Sequence, residues 1–155
     1  MVIAAYNDNG YKLMVFLHIL AVIVAFAPSF VWPFVSVRLK QRGEAAGPVI
    51  SQLAGGNTMK IYGPAAVLAG IFGFGIIGMS DKLWEFSAAW ISAGMLVWFL
   101  ILGVMFGMMA PAEKKLAEGD ASAEKILSMA GGILHLLLAI ELIIMVFKPG
   151  APAGL

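Results

Sequence analysis

Residues 11–36 read YKLMVFLHILAVIVAFAPSFVWPFVS, an apolar run longer than the roughly 20 residues that a membrane helix needs. Its only charged residue is Lys12, at one edge, and a histidine, His18, lies inside it. Three further runs of the same kind occupy about 61–80, 88–110 and 126–147, and the last carries the second histidine, His135. The sequence therefore predicts an all-α fold, a transmembrane four-helix bundle in which residues 1–155 form a single integral membrane domain.

Composition agrees. Hydrophobic residues make up 61% of the chain and charged residues 12%, with a mean hydropathy of +0.94, far from the usual soluble mix of about half apolar and a quarter charged. A net charge of +1 provides no basic field, so nucleic acid is not an expected partner. The absence of cysteine removes disulfides, zinc–thiolate sites, iron–sulfur clusters and c-type haem attachment. Any cofactor must be held by His, Met, Glu or backbone. The first run is too long for the apolar region of a signal peptide, and no small-residue cleavage site follows it, so it is expected to be a mature helix.

Lysine and arginine counts orient the bundle. With the amino terminus outside, the inner segments hold Arg38, Lys40, Arg42, Lys60, Lys114, Lys115 and Lys125, and the outer ones hold Lys12, Lys82 and Lys148. This places both termini on the periplasmic side of a bacterial inner (plasma) membrane, crossed several times. Tyr11, Trp84 and Trp90 then fall near the outer interface and Trp32 and Tyr62 near the inner one, as aromatic belts do. Trp98 falls mid-span and reads as packing.

The connections carry less information. In 37–60 the segment GPVISQLAGGN is too short to span and reads as an interfacial helix, with Asn57 or Thr58 capping the second span. The loop 111–125, PAEKKLAEGDASAEK, continues the third helix, breaks at Gly119 and offers Asp120 or Ser122 as the next cap. Its charges read as a solvated face. The tail KPGAPAGL has no apolar face to dock and is expected to be poorly ordered.

Helices associate in lipid by close backbone approach. Ala65, Ala69 and Gly73, with Ala66 and Gly70 beside them, form a small-residue stripe at four-residue spacing, and Gly103 and Gly107 repeat the device in the third span. Gly131 and Gly132 lie one turn before His135 and are read the same way. Pro28 and Pro33 each remove a helical hydrogen bond and should kink the first span, opening a cavity.

An ionisable side chain inside a membrane is costly, which makes His18, His135 and Glu141 candidate functional residues. Both histidines have small neighbours on their own faces and are expected to look into the bundle. At 1.5 Å per residue they differ in depth by about 7 Å, an offset that helix tilt absorbs. Glu141 lies about 120° around the helix from His135, so it is expected to reach His18 across a seam or to face a partner subunit. Met105, Met108, Met109 and Met129 offer thioethers that suit copper(I), although methionine is also an ordinary core filler.

The stretch LHILAVIVAF at 17–26, the four helices, the histidine in the last span and the ending IIMVFKP at 143–149 resemble a bacterial integral-membrane family of unknown function. That family is grouped with copper-resistance D-type proteins and with HemJ-type protoporphyrinogen oxidases. The resemblance implies b-type haem held by the first-helix histidine, here His18. The HemJ-type proteins pair it with a lysine, which no span of this chain supplies, and His135 then stands as the substitute ligand of the haem iron.

Three readings follow. The first is a noncatalytic accessory subunit of a larger membrane complex of respiratory or redox type, with other membrane subunits or a second copy as partners. The second is a quinone-linked b-haem electron-transfer protein that uses His18 and His135 as axial ligands. The third is a copper-handling protein. The absence of a nucleophile constellation speaks against an enzyme.

Overall fold

The computed structural model describes residues 8–151, all helix and turn with no strand among them. Its elements are α1 (Asn9–Gln41), α2 (Ala46–Ala54), a π-helical turn (Thr58–Tyr62), α3 (Gly63–Gly78), α4 (Ala89–Val104), a second π-helical turn (Met105–Met109), α5 (Ala110–Ala117) and α6 (Ala123–Phe147). Four helical segments are long and apolar enough to cross a membrane: Asn9–Gln41, Ala46–Gly78, Ala89–Ala117 and Ala123–Phe147. The chain is a multi-pass, four-helix membrane fold.

Local chemistry sets the ends of these elements. Asp8 caps α1 by accepting the Gly10 amide at 2.9 Å. Gly43, at φ +76°, closes the other end: its amide bonds the Lys40 carbonyl and that of Glu44 the Leu39 carbonyl, the left-handed glycine stop of a helix. Gly119 does the same after α5 at φ +93°, with the Gly119 amide on Leu116 and the Asp120 amide on Lys115. Pro64 and Pro111 occupy the first turns of α3 and α5, where a missing N–H costs nothing. Asp120 accepts both the amide and the hydroxyl of Ser122, which holds its carboxyl below the usual range.

The helices pack in two pairs, α1 along α3 and α4 along α6. The small-residue stripe lies in the first pair and at its border with α4. Ala65, Ala66 and Ala69 are buried, Gly73 faces the His18 ring, and Gly70 lies under the Trp98 ring. Trp98 also donates its indole N–H to the Ala66 carbonyl at 2.9 Å. It therefore locks α4 onto α3 by shape and by a hydrogen bond.

The other glycines differ from their sequence reading. A Cβ at Gly103, Gly107, Gly131 or Gly132 would meet nothing within 4 Å, so none of the four makes a close helix contact with the described residues. The tight approach of α4 to α6 falls instead at Gly94, where a Cβ would lie 2.5 Å from the Met145 methyl and 3.3 Å from Glu141 Oε1. The tail also differs as far as Ala151. Lys148 turns back at φ +43°, sets its ammonium 4.1 Å above the Trp84 ring, and brings Ala151 against the core. Residues 152–155, the rest of the tail, lie outside the described residues.

Candidate functional site

His18 and His135 face different neighbours. The His18 Nδ1 is 2.7 Å from the Ala69 carbonyl. A carbonyl only accepts, so Nδ1 carries the hydrogen and is the donor. His135 faces α1: its Nε2 is 3.0 Å from Ser29 Oγ, and its ring stacks on Phe30 with centroids 4.5 Å apart. Ser29 gives its only hydrogen to the Phe26 carbonyl at 2.7 Å, so His135 Nε2 is the donor. Each histidine ties two helices together, a contribution of about 0.6 kcal/mol for a typical interhelical hydrogen bond in lipid.

The two rings do not form a pair. His18 and the Ser29 partner of His135 are eleven residues apart on α1, roughly 16 Å along a helix. Two nitrogens sharing one metal sit about 4 Å apart, twice a metal–nitrogen bond of ~2 Å. The residues present therefore do not fit bis-histidine haem. Glu141 lies against Gly94 of α4, and its Oε2 is buried without a hydrogen-bond partner among the described residues. No cluster of three or more His, Cys, Asp or Glu side chains able to hold a metal ion occurs among the described residues. The methionines also separate: Met105 and Met109 line a common cavity, whereas Met129 is exposed.

That cavity is the most prominent feature of the fold. It measures about 840 Å³ and runs along α1 from Ala25 to Lys40, roughly 22 Å of helix. Pro28 and Pro33 both lie inside α1 within this stretch, and Pro33 lines the cavity; neither has an N–H to give to the helix. Opposite stand Leu127, Ser128, Gly131, Gly132, Leu134 and His135 of α6, and α2 and the end of the third span complete the wall. The His135 end is apolar and aromatic; the other end holds Lys40, Glu113, Glu124 and Lys125. Gly131 and Gly132 thus supply open space to the cavity rather than a helix contact.

Three of these four charges have fixed partners. Lys40 pairs with Glu124 at 3.1 Å, joining the far ends of α1 and α6. Glu113 takes the Thr58 hydroxyl at 2.5 Å and the Thr58 amide at 3.2 Å. Thr58 is completely buried and begins the π-helical turn ahead of α3, so Glu113 caps that helix across 55 residues of chain. Asn57 makes no cap and instead donates to Tyr62 Oη at 3.3 Å. The two π-helical turns face each other, and the Phe106 ring of the second lies over Gly63. Such turns recur at functional sites, and here they form part of the cavity wall through Tyr62, Met105 and Met109.

Ser29 and Glu113 carry no mark of function in the sequence. Trp32 reads in the sequence only as an interface aromatic, and its indole N–H is buried with no acceptor among the described residues. Glu113 sits in a charge-rich loop that reads as solvated. No known family, curated protein or solved structure matches the chain.

Proposed function

We propose that the protein is a small inner-membrane subunit, with both termini outside, that binds a lipid-soluble amphipathic molecule and presents it to a larger redox assembly. The observation that carries this reading is the cavity, apolar at its His135 end and polar at the other, within the 300–1,000 Å³ range of small-molecule sites. Orientation follows from charge. The polar end lies with Arg38, Lys40, Arg42, Lys114, Lys115 and Lys125, so the positive-inside rule puts it on the cytoplasmic side.

Assembly with a further subunit is supported by Gly103 and Gly107, exposed and with empty space above them, which suits a helix laid closely across α4. Haem b remains a distinct reading, but only with His135 as a single protein-side axial histidine, because His18 is out of reach.

Protein purified from its native membrane tests the proposal through its visible spectrum and a solvent extract. The expected result is no Soret band and one amphiphile per chain. A Soret band lost on His135→Ala would overturn it in favour of haem, and an empty extract would overturn ligand binding altogether.

A further inference from the structure

We propose that the cavity takes a quinone-class molecule, an uncharged flat ring carrying carbonyl oxygens, whose apolar tail passes into the bilayer through a window between α1 and α6. The inference rests on the reading of the cavity as an amphiphile site and adds the ligand class and its route.

The window follows from how α1 and α6 meet. Their backbones barely approach one another, since the bundle packs as α1 with α3 and α4 with α6. Two side-chain links join them: His135 with Ser29 and Phe30 at one end, and Lys40 with Glu124 at the other. These links are eleven residues apart on both helices, roughly 16 Å of rise. Between them Pro33 and Ser36 face Ser128 and Gly132 across the cavity. Pro33, Ser128 and Gly132 are exposed, and a side chain at Gly132 would extend into empty space. This gap lies within two apolar spans, so it opens towards lipid.

Charge selects a neutral ring. Lys40 and Lys125 are balanced by Glu113 and Glu124 on the same wall, and three of the four already hold partners. A ligand with two carboxylates, or with a bare ammonium, would bring uncompensated charge into a low-dielectric site. Hydrogen bonding selects acceptors. The hydroxyls of Ser36, Ser51, Ser128 and Tyr62 line the cavity and give no hydrogen to any described residue. Carbonyl oxygens on a ring accept from such donors. Flatness is accommodated by the bare backbone at Gly131 and Gly132 and by the aromatic rings of Trp32 and Tyr62 in the cavity wall.

The test uses the full chain in phosphatidylcholine nanodiscs titrated with decylubiquinone, read by quenching of tryptophan fluorescence. Trp32 lies in the cavity wall, so saturable quenching is expected, reduced by Trp32→Phe. Gly132→Leu fills the window and should weaken binding roughly tenfold or more. Gly78→Leu is the control, because its side chain also enters empty space but away from the cavity; it should bind like the wild type. Equal binding by both leucine variants would overturn the inference. So would a lack of saturable quenching in a protein whose solvent extract still yields one phospholipid or other amphiphile per chain, a result that leaves the amphiphile reading standing. Neither quenching nor an extracted amphiphile would overturn both.

Discussion

Ser29 and His135 meet at 3.0 Å where the first and last helices of the bundle come together. The direction of the bond is fixed by Phe26, whose carbonyl takes the serine hydrogen. A polar residue between two prolines and a histidine in a distant span thus form a joint at the apolar end of the cavity. Removing the hydroxyl in Ser29→Ala should cost about 0.6 kcal/mol, the usual value for an interhelical hydrogen bond in a membrane. His135→Ala should cost more, because the Phe30 stack, worth about 0.5–1.5 kcal/mol, goes with it. Thermal unfolding in detergent measures both.

Glycines at different positions should respond oppositely. Gly70→Ala drives a methyl into the Trp98 ring and is expected to destabilise by about 1–3 kcal/mol, the usual cost of overpacking. Gly103→Ala meets open space and should be neutral or stabilising by up to about 1 kcal/mol through helix propensity. A shared sign in the two melting shifts would contradict the packing described for α3 and α4.

Glu113 and Thr58 should behave as a unit. Glu113→Ala leaves the buried Thr58 amide and hydroxyl without an acceptor, at an expected cost of about 1–3 kcal/mol. Thr58→Val removes the hydroxyl and keeps the shape. The double variant should fall short of the sum of the single costs, and strict additivity in chemical unfolding would show that the two side chains do not interact.

Orientation is testable because the chain contains no cysteine. Lys82→Cys should react with a membrane-impermeant maleimide on intact cells, and Gly43→Cys only after permeabilisation. The reverse pattern would invert the proposed topology.

Much of the fold is legible in the sequence because its signals are local. Run length defines the four helices, Gly119 ends α5 where only a left-handed residue fits, and the stripe from Ala65 to Gly73 marks where α3 is approached closely. What escapes the sequence depends on residues far apart in the chain. Gly94 receives Met145 and Glu141, although no four-residue glycine repeat marks it. Gly103 and Gly107 carry that repeat, yet a Cβ at either would meet none of the described residues within 4 Å. The histidines announce themselves by their cost in lipid, but their partners are a backbone carbonyl of α3 and a serine of α1, neither of which periodicity identifies. The cavity was foreshadowed by the two prolines, whereas its floor, built from α2 and Glu113, depends on how a loop folds back.

The central claim is that the cavity holds an amphiphile, and native mass spectrometry of the protein released from its own membrane tests it most directly. A single added mass of one lipid-soluble molecule per chain, present in the wild type and in Gly78→Leu and absent from a Gly131→Leu/Gly132→Leu variant of matching stability, is the predicted result. A spectrum of the bare chain alone, or an added mass that persists when both cavity glycines are filled, would contradict it.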